Sequence, residues 1–330
     1  MLVERARQLA RQWVLDEGVA LPGFGGAFLT GSALWADPAT ELAPTSDVDV
    51  MVVADPPPRI GKFRYQGVLL EVSGVPAIGS THEVLSDYHL AGSFHLTCVL
   101  ADPTGRLGEI QRLVARDFAE RPWIMARCTQ AMDRVRGWIN SMDENAPVPE
   151  QVAAWLFGTG VTTHVLLVAG LRNPTVRRRY AAVRDLLAGH GRLDWHEHLL
   201  DLLGCARMTA ERVERHLAAL EEVFDATAGL KAPSYRFDSD ITPEARPVAI
   251  DGSRELVAAG LHREAVFWLV ATYARCLDKR AAAGAAPGYE EGFEELLADL
   301  GAATFADRRR RGDHVLAALP SLWQTAMALC

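Results

Sequence analysis

The chain has 330 residues, 49% apolar and 23% charged, with a formal net charge of −8; that length allows two domains with a sizeable core, and that composition is the one of a soluble globular protein. The acidic balance argues against long nucleic acid as a partner, because such ligands are met by basic surfaces that release counterions, and it leans towards a small, even cationic, substrate. Cys98, Cys128, Cys205, Cys276 and Cys330 show no paired spacing, which argues against a disulfide framework or a zinc site. The start of the chain lacks a signal-peptide core, and no apolar run is read as reaching the roughly 18 residues of a membrane span, so the expectation is cytoplasmic, with no membrane partner.

In chain order, a helix is predicted from about Val3 to Glu17, broken by Pro22-Gly23-Phe24-Gly25-Gly26. The apolar strand Gly26–Thr30 leads into Gly31-Ser32, which can open a helix whose first backbone N–H groups face a phosphate. The next strand is Ser46-Asp47-Val48-Asp49-Val50-Met51-Val52-Val53. Side chains on a strand alternate with period two, so Asp47 and Asp49 share one face while Val48, Val50 and Val52 take the buried one. Two acids side by side are costly to ionise together unless a cation lies between them, which asks for a divalent metal, most plausibly magnesium. Lys62-Phe63-Arg64-Tyr65-Gln66 reads as the first arm of a hairpin whose second arm, Gly67 to Val75, carries one charge, Glu71. Beside the first strand, Glu71 would complete a triad able to hold two ions ~3.5–4 Å apart, the spacing used for in-line phosphoryl or nucleotidyl displacement.

Further on, Ser80-Thr81-His82-Glu83 has the form of a capping box that starts a helix to about Leu90. His95–Ala101 reads as a strand and Leu107–Phe118 as a helix. From Pro122 the pattern is helical: Trp123–Met142, Glu150–Ala169, Thr175–Leu187, Trp195–Leu203, Ala210–Ala228, Arg254–Ala281, Glu290–Asp299 and Ala302–Leu319. The proline-bearing segment from Lys231 to Pro247 either divides this region or forms a loop crossing the active cleft.

At Leu29, Gly31, Ser32, Asp47, Val48, Asp49, Val50 and Glu71 the chain resembles the nucleotidyltransferase superfamily, in its small-molecule branch of aminoglycoside and lincosamide nucleotidyltransferases. The resemblance covers about the first hundred residues firmly and the rest in outline. It implies an α+β architecture: a nucleotidyltransferase-fold domain with a mixed β-sheet over residues 1–120, then an all-helical acceptor-binding domain over 121–330. It also implies that Gly31 and Ser32, beside Ser46, grip the triphosphate and that Asp47, Asp49 and Glu71 hold two magnesium ions. The activity implied is transfer of a nucleoside monophosphate, AMP from ATP in the first instance, to a hydroxyl of a small acceptor such as an aminoglycoside-like antibiotic, with release of pyrophosphate.

Two features depart from the family pattern. The spacer from Ser32 to Asp47 is long, and it holds no Lys or Arg. The triphosphate charge is then met by metal, by backbone N–H groups, or by basic residues such as Lys62, Arg64 or others of the helical half. A helical-domain acid serves as general base in the aminoglycoside-modifying relatives; Glu150, Asp143 and Glu144 are candidates here, and the base stays unassigned.

Other motifs have plainer explanations. Histidines two apart in Trp195-His196-Glu197-His198 point about 200° apart on a helix and cannot chelate one ion together. Arg177-Arg178-Arg179, with Arg172 and Arg184, reads first as a solvated helix face, and Arg308-Arg309-Arg310-Arg311 is partly neutralised by Asp307 and Asp313. Phe267, Trp268 and Tyr273 fall at the spacing of a core face. A toxin-like enzyme modifying tRNA or a protein side chain with the same core is the alternative reading, and a binding protein without chemistry is a third, disfavoured by the complete acid triad.

Overall fold

The computed structural model describes residues 1–330, which divide into two compact units, Met1–Arg127 and Cys128–Cys330. The first unit mixes helix and sheet and the second is helical. Their boundary falls inside the helix that begins at Arg121, whereas the sequence places the change of character at 120/121.

The first unit runs α1 (Val3–Asp16), β1 (Phe24–Thr30), α2 (Gly31–Trp35), β2 (Val48–Ala54), β3 (Arg59–Tyr65), β4 (Val68–Val75), α3 (Thr81–Ser86), α4 (Tyr88–Phe94), β5 (Val99–Ala101) and α5 (Arg106–Asp117), ending in the start of α6 (Arg121–Asn140). The five strands form one mixed sheet of order β3-β4-β2-β1-β5, in which only the β2–β4 pair is parallel. Val48, Val50 and Val52 are fully buried, as the alternation requires. Each such valine removed from water contributes roughly 1.5–2 kcal/mol.

Helices cover both faces. The stripe Val3, Ala6, Leu9, Ala10, Trp13 on α1 recurs every three to four residues and is buried. Trp13 meets Phe63 of β3, with ring centroids 5.5 Å apart, whereas Phe94 of α4 meets Phe28 of β1 at 4.8 Å. Phe28 shares its face with Thr30 and so with Asp49, which pairs with Thr30. The acids therefore emerge on the α4 side, opposite α1.

The β3–β4 hairpin closes through the two-residue turn Gln66-Gly67, both at positive φ (47° and 88°), which matches the right-handed twist of the strands. Ser80 and Glu83 form the capping box at the start of α3. That helix stops at Ser86, because Asp87 turns its carboxylate onto the backbone N–H groups of His89 and Leu90 and caps a new helix, α4. α4 consumes the chain as far as Phe94 and is closed by His95, so the strand expected over His95–Ala101 shrinks to Val99–Ala101.

The second unit contains the rest of α6, then α7 (Val148–Ala169), α8 (Arg179–Gly189), α9 (Leu193–Leu203), α10 (Ala210–Ala228), α11 (Gly252–Ala258), α12 (His262–Ala282), α13 (Glu290–Asp299) and α14 (Phe305–Leu329). The single helix expected over Arg254–Ala281 is two, because Gly260 at φ +75° reverses the chain between α11 and α12. The last helix runs past Leu319 and through Pro320 to Leu329, with Ser321 donating to the carbonyl of Ala318.

α7 packs against α8, α9, α12 and α14. Contrary to the reading of the sequence, it is long and apolar enough to cross a membrane, with a mean hydropathy of 1.6 over its best window, 89% of which is buried inside the protein. Its Thr159, Thr162 and Thr163 return their hydroxyls to carbonyls of the preceding turn, so these buried side chains satisfy their polarity within the helix. The segment Lys231–Pro247 does not divide the unit but packs along α12, where Arg275 pairs with Asp240 at 2.9 Å and stacks over Phe237.

One arginine from each of the two arginine runs is buried, Arg179 against the expectation of a solvated face. Arg179 lies over the Phe267 ring at 4.0 Å, and Arg308 donates to the carbonyls of Ala302 and Ala303 and to Gln151 Oε1. In both cases the planar guanidinium finds a ring face or a fork of oxygens that replaces water. Phe267 and Tyr273 are core residues, as their spacing predicts.

Candidate metal centre

Three local features bring the acids together. Asp47 ends the loop immediately before β2, Asp49 is the second residue of that strand, and Glu71 lies directly across from Asp49 in the parallel β4. Carboxylate oxygens of Asp47, Asp49 and Glu71 all fall within 4.8 Å of one another. Across the other edge of β2, Asp49 pairs with Thr30, the last residue of β1, and α2 starts at the next residue, Gly31.

Gly31 is at φ +69°, and a Cβ there would collide with Asp49 Oδ2. Glycine is thus required twice over, for the backbone conformation and for the approach of the carboxylate to the main chain. Ser32 follows it, exposed on the first turn of α2. Ser46, one residue before the acids, sits in a turn in which its N–H donates to the carbonyl of Ala43 at 2.9 Å.

Lys62 is the cation of the cluster. It stands opposite Glu71 in the hairpin, and its Nζ donates to Asp47 Oδ2 at 2.7 Å and to Glu71 Oε2. Side-chain exposures of 7% for Lys62, 14% for Asp47 and 32% for Glu71 define a recess that opens on the Glu71 side. Asp49 has its carboxyl pushed well above the usual aspartate range, first by burial, then by the charges of Asp47 and Glu71 and by a hydrogen bond with Glu71, against the opposing pull of Lys62. Three acids with one ammonium leave the recess short of positive charge, and that deficit adds to burial in raising the Asp49 carboxyl.

Arg64 is not among the residues gathered there. It is exposed, and its guanidinium donates to the carbonyl of Gly67 in its own turn at 3.3 Å. A residue the sequence did not single out, Arg7, secures the site from behind: its guanidinium donates to the carbonyls of Ala33, Leu34 and Ala36 and so closes the end of α2. The long spacer is likewise tied to the start of α1, with Val3 N–H donating to Thr40 O and Leu42 N–H to Met1 O. An arginine on a helix 24 residues ahead of a Gly-Ser turn is too weak a pattern to point to this anchor.

In the second unit, Glu150 is in the first turn of α7, where an acid suits the helix dipole, and it raises the carboxyl of Asp278 on α12, which burial had already lifted, to about 6. His196 is buried with its Nε2 3.3 Å from Glu264 Oε1, while His198 turns to the ring of Trp195. The two histidines diverge, as their spacing requires.

No family model, curated protein or solved structure matches this chain. The site therefore rests on its own chemistry. Three hard oxygen donors, two from adjacent strands and one from the end of the loop that enters β2, already neutralised in part by an ammonium, form a donor set that suits a divalent ion such as magnesium.

Proposed function

We propose that the chain is a metal-dependent nucleotidyltransferase of the small-molecule branch, with its nucleotidyltransferase fold in the first unit. The observation that carries this reading is the convergence of Asp47, Asp49 and Glu71 beside Gly31. The reaction is attack of an acceptor hydroxyl on the α-phosphorus of a nucleoside triphosphate, ATP in the first instance; a new O–P bond forms, the α–β bridge breaks, and pyrophosphate leaves.

Asp47, Asp49 and Glu71 would hold the magnesium ions, which when bound supply Lewis-acid activation of the hydroxyl and charge neutralisation at the phosphates. The residues themselves contribute rigidity. Asp49 and Glu71 are cross-strand partners in the sheet interior, so their separation is set by the ladder and not by side-chain freedom. Gly31 lets the main chain approach this pair, and Ser32 offers a hydroxyl to the triphosphate. Residues 128–330 would select the acceptor, with an acidic total charge that suits a polycation.

The test is label transfer. The full chain, incubated with magnesium and radiolabelled nucleoside triphosphates, is offered aminoglycosides, lincosamides, tRNA and proteins, with label expected on a small molecule. Asp49→Asn is expected to abolish transfer with an unchanged circular dichroism spectrum. Label on tRNA or protein alone would replace the small acceptor by a macromolecular one, and undiminished transfer by the variant would remove Asp49 from the metal site.

A further inference from the structure

Lys62 does not stand where a lysine reserved for phosphate would wait. Its ammonium occupies the space between two of the three acids, bonded to Asp47 Oδ2 and Glu71 Oε2, with a side chain that is 7% exposed. Both carboxylates belong to the donor set that a divalent ion would need. An ammonium in hydrogen-bond contact with both carboxylates places a positive charge beside any ion they would ligate, so the two cations repel each other and compete for the same negative charge.

Resting on the reading of the acids as a metal site, we infer that Lys62 is the resident counter-cation of the recess, which the metal must displace, so that ammonium and metal bind there in mutual exclusion. Three structural facts make the exchange workable. β3 is the outermost strand of the sheet, with no strand beyond it. Lysine carries its charge on a flexible four-carbon stem. The recess opens at Glu71, which is more exposed than Lys62 or Asp47.

The exchange has a consequence for the order of events. Before the metal enters, the ammonium keeps mutually repelling acids compact. Once displaced, it remains tethered beside the site as a cation that can meet the triphosphate. Metal without nucleotide then binds at a disadvantage, because it must separate the ammonium from Asp47 and Glu71; metal with nucleotide brings phosphate oxygens that take up the ammonium. By linkage, each ligand raises the affinity for the other.

The test uses the full chain and Mn2+ alone, titrated by the electron paramagnetic resonance signal of the free ion. Lys62→Gln is expected to bind Mn2+ about tenfold more tightly than the unaltered chain, within the range of ordinary coupling energies. Lys62→Arg, which keeps a cation on the strand, should remain a weak binder. Arg64→Gln removes a charge two residues along the same strand, outside the recess, and should change the affinity by less than about twofold because solvent and salt screen it. Thermal unfolding gives a second readout: Mn2+ should raise the melting temperature of Lys62→Gln more than that of the unaltered chain.

If Lys62→Gln binds Mn2+ no better than the unaltered chain, while Asp49→Asn binds none, the metal site stands and the displacement is wrong. If Arg64→Gln tightens binding as much as Lys62→Gln, the effect is that of the general field, and the displacement is again wrong. If neither the unaltered chain nor Lys62→Gln binds Mn2+, both the inference and the metal site fall.

Discussion

Lys62 in the first unit and Lys279 in the second are both lysines withdrawn from solvent, with side-chain exposures of 7% and 1%. Their surroundings differ in charge. Lys279 meets one carboxylate, Asp238 at 2.9 Å, and two carbonyls, those of Asp238 at 3.0 Å and Ile241 at 2.7 Å. Three N–H donors face three acceptors and one positive charge faces one negative, so the lysine fastens the segment after α10 to α12. Lys62 faces two carboxylates with a third beside them. A matched ion pair holds structure; an outnumbered cation marks a place that other cations can enter.

The contrast can be broken most severely at Gly31. Gly31→Ala should reduce nucleotidyl transfer at least a hundredfold, as measured by pyrophosphate release, because the new Cβ drives into Asp49 Oδ2 at a backbone conformation hostile to side chains. At the matched lysine the expected damage is to stability. Lys279→Met should lower the unfolding free energy by about 2–3 kcal/mol in urea titrations, since it strands a carboxylate and two buried carbonyls.

The smallest effect concerns Asp278, whose carboxyl is raised from 3.8 to about 6 by burial first and by Glu150 second. The native state then binds this proton more tightly than the unfolded chain does. Stability should therefore fall as pH rises from 3.8 to about 6 and show no further loss from this group above that. Allowing for solvent at a half-buried site, the loss is about 1–2 kcal/mol. Asp278→Asn should flatten that slope in denaturant titrations between those pH values; an unchanged slope would remove the group from the pH response.

The acids were legible because strand periodicity is a strong constraint. Once Val48, Val50 and Val52 are buried, Asp47 and Asp49 have only one face to occupy. Glu71 was legible as the single charge in an apolar run, although its parallel pairing with β2 was not, since nothing local distinguishes a strand's neighbour. Charge alone makes Lys62 one of several basic candidates for the triphosphate; counting back from the Gln66-Gly67 turn sets it opposite Glu71. Misplaced boundaries share a cause. Asp87 caps a second helix where the pattern predicts one continuous helix to about Leu90, Gly260 splits a helix whose apolar pattern runs straight through, and Pro320 fails to end one. In each, one residue's backbone chemistry outweighs the pattern around it, or tertiary packing outweighs that residue.

The hairpin turn has a consequence of its own. Tyr65 faces Val68 across it, and three residues along each arm Lys62 faces Glu71. Slipping one arm by a single position would send the ammonium through the sheet to the α1 side, among Trp13 and its neighbours, and leave the acids with no cation at all. The turn thus works as a counting device: where it lies along the chain decides which side of the sheet receives the positive charge.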